Sequence, residues 1–163
     1  MAVQRSEGQT EEVKGEVTSG GLDPKKARVK EALKSFQSNV IFHPSHQKLL
    51  LSLLPSVPVS MTLIYQGSTH GWQPYNFHKL CDGRGHVIAL MRSKAGKVFG
   101  GYTSKGWDSV SKWKEDEEAF IFSLNRLQVY KVKTPAKALY CRDDWGPSFG
   151  GCALGFPSGP FKY

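Results

Sequence analysis

From residue 61 onward the chain consists of short apolar segments separated by turns, and this pattern restricts the fold more than any other feature of the sequence. "MTLIYQ", "AFIFSL", "LQVYKVK" and "ALYCR" have the length and the β-branched and aromatic content of strands. "HVIALMR" and "VFGGYTS" flank Ala95 and Gly96 as the strands of a hairpin flank their turn. Few helical segments interrupt these strands. The pattern therefore predicts an α+β fold, a mostly antiparallel β-sandwich flanked by a few helices.

The residues before the strands fall into two parts. Residues 1–22 contain few large apolar side chains, cannot offset the entropy of ordering, and are predicted to be a flexible tail. Residues 23–54 are predicted to be a helical lead-in, in which Asp23 and Pro24 start one helix and "SHQKLLLSLLP" forms a second, buried helix that Pro55 ends. Residues 55–163 then form the β-rich domain, with another short helix at "YNFHKLC".

Length and composition are those of an ordinary folded domain. The 163 residues suffice for one hydrophobic core, and no apolar run approaches the roughly 18 residues of a membrane span. The first residues lack the apolar core of a secretory signal, so we expect a soluble, cytoplasmic protein. Three cysteines, Cys81, Cys141 and Cys152, cannot all pair within one chain and are expected to be reduced thiols.

The net charge of +8 is unevenly distributed. From Arg126 to Arg142 the sequence contains five basic residues and no acidic residue. Such a segment can meet phosphate, acidic lipid or an acidic protein surface. A solvated surface without a partner is the simpler interpretation, and both remain open from the sequence.

The arrangement most similar to a nucleophile with its base is Cys81 with His78 and His86, which are close to it in sequence. No orienting acid or oxyanion-binding group accompanies it, so a buried structural cysteine is the favoured interpretation. "CDGRG" begins like a calcium loop, but "HVIALM" fills the following ligand positions, and Asp82 and Gly83 are expected in a turn. Metal-ligand clusters and phosphate-binding glycine motifs are also missing. We expect no catalytic residue, metal or cofactor.

Glu118 stands directly before the strand "AFIFSL" in the acidic run "KEDEE". An acid in this position usually faces solvent, and we expect the same of Glu118. A buried structural carboxylate and a functional carboxylate are the alternatives, although no second carboxylate is placed to act with it.

Four segments stand in an order and spacing that are specific when taken together. They are "LIYQGSTHGW", "FHKLCDGRGHVIALMRSKAGKVFGGYTSKGW", "EEAFIFSL" and "ALYCRDDWGPSFGGCAL". From about Phe42 to Leu154 they resemble, in turn, the opening strand, the helix with its "C-D/E-G" turn and hairpin, the glutamate-containing strand and the late glycine-rich segment of the TLDc domain of oxidation-resistance proteins. The residues on family motifs, with an expected structural or docking role, are Gly71, Cys81, Asp82, Gly83, Gly100, Trp107, Glu118, Phe120, Gly150 and Gly151.

The sequence departs from the family pattern in three places. "KEDEE" replaces the glycine that usually precedes the motif glutamate, and "GGCAL" lacks the third glycine and the aspartate. After Leu154, "GFPSGPFKY" does not resemble the further strands that complete the family's sandwich. We therefore expect a C-terminally shortened domain that is marginally stable alone, or that depends on a partner strand or on its own N-terminal helices.

The resemblance implies a non-enzymatic interaction domain that takes part in protection against oxidative stress, or that binds and regulates the vacuolar proton-pumping ATPase. Its expected partner is a protein, with vacuolar ATPase subunits as candidates. The basic segment 126–142 and the helices at 23–54 are candidate contact surfaces. The alternative is a basic module that binds nucleic acid or an anionic surface, although no nucleic-acid-binding motif is present.

Overall fold

A six-stranded antiparallel sheet forms the centre of the fold. The computed structural model describes residues 1–6, 40, 43–54, 60–150 and 154. Across this sheet the strand order is β2 (Ser60–Tyr65), β1 (Ala2–Ser6), β3 (Val87–Arg92), β4 (Val98–Thr103), β6 (Phe120–Ser123) and β7 (Gln128–Lys131). A second, two-stranded sheet pairs β5 (Lys112–Lys114) with β8 (Leu139–Cys141).

The hairpin of β3 and β4 is the longest local unit of the sheet, and it lies where the sequence predicts it. Its register runs from Val87 opposite Thr103 to Arg92 opposite Val98. The turn closes when the Gly96 amide donates to the Ser93 carbonyl at 2.9 Å, and Gly96 has a φ of +73°. Glycine takes this conformation without steric strain.

Strand β3 is buried on both faces, which explains its uninterrupted apolar sequence. Ile88 and Leu90 point to a cluster that contains Leu50 and Leu51 of helix α1 (Pro44–Leu53). The alternate residues of β3 pack on the opposite face in a second cluster. The sheet thus has an apolar layer on each side, and the predicted α+β fold is confirmed.

The helices are short. The Nδ1 of His43 caps α1 by accepting from the Ser45 amide at 3.3 Å. Helices α2 (Gly67–His70) and α3 (Pro74–Cys81) follow β2, and a 3₁₀ helix covers Pro135–Lys137. The predicted helices at "SHQKLLLSLLP" and "YNFHKLC" are present as α1 and α3. The prediction that the first is buried is correct only on the face of Leu50 and Leu51, since Lys48 and Ser52 are exposed. Within the described ranges, no helix is long and apolar enough to cross a bilayer.

The prediction of a flexible tail over residues 1–22 is wrong for the first six residues. Ala2–Ser6 form β1, which pairs antiparallel with β2 on one side and with β3 on the other. Ala2 and Val3 are about 1% exposed. Two small apolar side chains suffice here because each lies on one face of a strand that is already flanked by neighbours. The rest of the predicted tail lies outside the described residues.

Several other predictions concern residues outside the described part of the chain. These are the first predicted helix, at "LDPKKARVKEALKSF", and the segment from residue 155 onward. The boundary between residues 54 and 55 and the shortening of the domain therefore remain predictions. Within the predicted lead-in, helix α1 is described, and its Leu50 and Leu51 lie in one apolar cluster with residues of the sheet.

Candidate functional site

The turn after α3 holds this helix against the loop of residues 104–111. The Asp82 Oδ1 atom lies 2.7 Å from His78 Nδ1, and Asp82 Oδ2 accepts a hydrogen bond from the Ser109 hydroxyl. The Gly83 amide donates to the Trp107 carbonyl at 2.9 Å. The motif Cys81-Asp82-Gly83 therefore lies in a turn, as predicted, and connects the helix with a distant loop.

His78 is buried and both of its ring nitrogens face oxygen atoms. Its Nε2 lies 2.7 Å from the Trp145 carbonyl oxygen, which can only accept, so Nε2 is the donor in this bond. Its Nδ1 faces the Asp82 carboxylate. With both nitrogens engaged, His78 has none left to act as a base toward Cys81. The ring instead links α3 to the segment that follows β8.

Cys81 lies in the interior with no measurable exposure. Burial raises the pKa of its thiol to about 12. At neutral pH such a thiol is protonated, and a protonated thiol is a poor nucleophile. The second candidate base, His86, has its Nδ1 3.0 Å from the Tyr102 hydroxyl. Within the described ranges, no group of three or more His, Cys, Asp or Glu side chains is placed to hold a metal ion.

Trp107 is the centre of an aromatic cluster on the α3 side of the sheet. Its ring is fully buried and makes edge contacts with Phe77 and Phe149, at centroid distances of 5.2 and 5.5 Å. Phe77 also contacts Tyr65 edge-on at 5.5 Å. The Tyr65 hydroxyl donates to the Gly71 carbonyl at 2.7 Å. Gly71 and Trp107 are therefore both in contact with the aromatic cluster, and aromatic pairs of this kind stabilise a core.

The buried carboxylate of the acidic run belongs to Asp116 and not to Glu118, the residue that the family motif singles out. Glu118 is exposed, as predicted. Asp116 is 1% exposed, and its two oxygens accept four hydrogen bonds. The donors are the Thr103 hydroxyl (2.7 Å), the Ser104 amide (2.7 Å) and hydroxyl (2.8 Å), and the Glu118 amide (3.0 Å). The bond from the Glu118 amide is local, but the other three come from residues that are distant in sequence, and no sequence pattern distinguishes Asp116 from the other acids of the run.

The remaining motif residues lie in the sheet or at its margin. Gly100 is on β4, where a Cβ would collide with the Ala89 carbonyl oxygen of β3, so the close approach of these strands requires glycine. Phe120 lies on β6 in the cluster on the α1 side. Gly150 has a φ of +57° and Gly151 lies outside the described residues. The proposed docking role of the motif residues remains a prediction.

Exposed apolar side chains gather at strand β7, which is the last strand of the six at one edge of the sheet. Leu127 is 71% exposed, Val129 39% and Tyr130 48%. All four residues of β7 are exposed. An edge strand with exposed apolar side chains can pair with another chain. We call Gln128–Lys131 the β7 edge.

A cavity of about 540 Å³ opens beside the β7 edge and extends toward the 3₁₀ helix. Its walls are mostly apolar, and the described lining residues include three lysines and no acid. The lysines are Lys131, Lys133 and Lys137, and we call this cavity the basic groove. Arg142, by contrast, is bound by the Asp144 carboxylate at 2.5 and 2.6 Å. Of the five basic residues in segment 126–142, three line the basic groove, and Arg142 is paired with Asp144.

Trp72 and Tyr75 form a second exposed apolar pair, on the segment from α2 to α3. They are 72% and 68% exposed, respectively. This pair is separate from the residues of the β7 edge and the basic groove. A substitution in this pair leaves the residues of the β7 edge unchanged and can serve as a control.

The sequence model of the TLDc domain matches residues 35–158, which is well over half of the chain. The chain belongs to the TLDc domain family. This membership agrees with the sheet and with the structural positions of Gly71, Trp107 and the Cys81 turn.

Two curated relatives carry the same name, MTOR-associated protein MEAK7. The protein from Danio rerio is 26% identical over 80 residues, which cover 47% of this chain and 18% of the relative. The protein from Xenopus laevis is 31% identical over 72 residues, which cover 42% of this chain and 15% of the relative. The matches therefore span less than a fifth of the length of these relatives.

Proposed function

We propose that this chain is a TLDc interaction domain that works by binding a protein partner and catalyses no reaction. One observation carries the proposal: Cys81 is completely buried, with burial raising the pKa of its thiol to about 12. Its candidate base His78 is bound by oxygen atoms at both ring nitrogens. Residues that looked reactive in the sequence are used to hold α3, whereas apolar side chains are exposed at the β7 edge.

The proposed partner is the vacuolar proton-pumping ATPase, and the proposed role is its regulation and protection against oxidative stress. Support comes from family membership, because the resemblance implies this partner for TLDc domains. We also propose a cytoplasmic location, with which the free thiols of Cys81 and Cys141 are compatible.

Association with MTOR is a second candidate, and the names of the two relatives favour it. The matched residues make up less than a fifth of each relative, so each name describes a protein much longer than the match. The same binding assay separates the two partners, provided that each is presented in purified form.

The test is capture of the purified cytosolic sector of the vacuolar ATPase on the immobilised full chain, at low salt and at about 0.15 M salt. The proposal expects capture at both salt concentrations, since an interface with an apolar part is only partly screened. If the folded chain captures none at either salt, the proposed partner is wrong. If a single-stranded oligonucleotide binds instead and is lost steeply with salt, the nucleic-acid alternative is favoured.

A second arm tests whether the role of Cys81 is structural. Cys81→Ala removes the thiol and little volume, so the folded variant should capture the partner as the parent chain does. Circular dichroism and thermal unfolding show how much of the variant is folded. A variant that is fully folded but captures no partner would contradict the structural role and show that Cys81 itself takes part in binding.

A further inference from the structure

We propose that an extended, acidic segment of a protein partner pairs with the β7 edge as a seventh strand of the sheet. This inference rests on the proposed function, because it names the surface and the chemistry of the partner. It follows from the backbone geometry of β7, from its exposed side chains and from the charge of the basic groove.

The backbone of β7 directs every second residue away from the sheet. The Val132 amide donates to the Ala119 carbonyl at 3.4 Å, and the register continues with Tyr130 opposite Ile121. Hydrogen-bonded and non-hydrogen-bonded pairs alternate in an antiparallel ladder. Tyr130 and Gln128 therefore bond to β6, whereas the amides and carbonyls of Val129 and Lys131 point outward. These outward groups are what an added strand pairs with.

The exposed side chains make this edge suitable for a partner strand. Val129 lies opposite Phe122 and Tyr130 opposite Ile121, so the two side chains extend opposite faces of the sheet. An incoming strand would cover part of both, in addition to Leu127 beyond the strand end. Apolar burial of this kind adds to the main-chain bonds.

The charge beside the edge selects the partner. The basic groove presents Lys131, Lys133 and Lys137, and none of them enters an ion pair recorded between residues that the structure describes. Lys137 lies over the Trp113 ring, with Nζ 5.9 Å from the centroid. Pairing of two copies through β7 would bring two basic segments together, which is unfavourable. A strand with alternate Asp or Glu side chains would instead place carboxylates near the lysines.

The first test uses a fluorescein-labelled peptide of about ten residues in which Glu and Val alternate. Fluorescence anisotropy measures its binding to the full chain. We expect the peptide to bind at least about tenfold more tightly than a matched Lys-Val peptide. An N-methylated form of the Glu-Val peptide, which cannot form the ladder on one edge, should lose at least about tenfold in affinity. This comparison needs no protein variant.

Two pairs of variants then locate the site. Val129→Pro removes one outward amide and keeps the bonds of Gln128 and Tyr130 to β6, whereas Val129→Thr keeps the amide. The proline variant should lose at least about tenfold in peptide affinity and the threonine variant should not. Lys133→Glu with Lys137→Glu should weaken binding of the Glu-Val peptide. Lys79→Glu, at an exposed position of α3, should have little effect.

Three results with the peptide would each overturn the inference. They are no peptide binding up to about 1 mM, equal binding of the N-methylated peptide, and charge-dependent binding that Val129→Pro leaves unchanged. Tighter binding of a single-stranded oligonucleotide with no effect of Val129→Pro would also overturn it. If folded Val129→Pro still captures the vacuolar ATPase sector at parental affinity, the proposed function stands and the β7 site is wrong.

Discussion

Replacement of Val3 by alanine tests whether β1 contributes to the stability of the sheet. Val3 is 1% exposed and lies in register between Leu63 of β2 and Ile88 of β3. The substitution removes two methyl groups, worth about 0.8 kcal/mol each in transfer free energy. The cavity adds about 1 kcal/mol if its walls do not relax. We expect the free energy of unfolding to fall by about 2–3 kcal/mol, and the midpoint temperature by about 5–10 °C.

Gln4→Ala is the matched control on the same strand. The Gln4 Oε1 atom accepts a hydrogen bond from Arg84 Nη1 at 3.1 Å in an exposed position, so its loss should cost less than about 1 kcal/mol. Denaturant unfolding followed by circular dichroism measures both variants. Hydrogen exchange adds a local measurement. Two backbone hydrogen bonds join Met1 to Leu90. Because hydrogen-bonded pairs alternate along the ladder, the Val3 amide is directed to Ile88.

Two results together would refute this reasoning. The two variants would have equal unfolding free energies, and the Val3 amide would exchange as fast as in an unfolded chain. Residues 1–6 would then behave as the flexible tail that composition predicts. Slow exchange with a small effect of Val3→Ala would instead mean that the strand forms but that the cavity collapses.

Three further substitutions test the family motifs and the buried groups. Gly100→Ala should cost at least about 3 kcal/mol or prevent folding, because its Cβ meets the Ala89 carbonyl oxygen. Gly83→Ala adds a Cβ in open space, so its cost of about 1–2 kcal/mol comes only from the φ of +71°. Thermal unfolding compares the two, and equal losses would contradict the steric argument. Asp116→Asn should cost about 2–4 kcal/mol in denaturant unfolding, since an amide group replaces one of two accepting oxygens. In native protein at pH 8, Cys81 should react with iodoacetamide far more slowly than in urea, because about one in 10⁴ of a thiol with a pKa of about 12 is ionised there; mass spectrometry follows the reaction, and equal rates would show that the thiol is accessible.

The strands that the sequence predicts correctly are those whose pattern is local. "HVIALMR" and "VFGGYTS" flank a glycine turn, and each is buried along most of its length, so composition and spacing agree. β1 escapes such a prediction because "AVQRS" has only two small apolar residues and its partners begin at Ser60 and Val87. Its order comes from main-chain pairing with distant strands, which composition averaged over 22 residues does not register.

The candidate site was predictable in chemistry but not in geometry. The run "KEDEE" contains four acids, and only the positions of Thr103 and Ser104 decide that Asp116 is the buried one. In the same way the basic segment 126–142 was visible in the sequence, but not that Arg142 pairs with Asp144 or that Lys131 lies on an edge strand. Such facts depend on which segments the sheet brings together.

Hydrogen exchange of the full chain, alone and with the purified cytosolic sector of the vacuolar ATPase, tests the central claim most directly. Peptides are resolved by mass spectrometry, and the Trp72→Ala variant serves as a control for the other exposed apolar pair. The account predicts slower exchange across β7, Gln128–Lys131, in the complex, for both the parent chain and the control. Unchanged exchange at every peptide that covers the described residues, with the chain folded and the sector in excess, would contradict it.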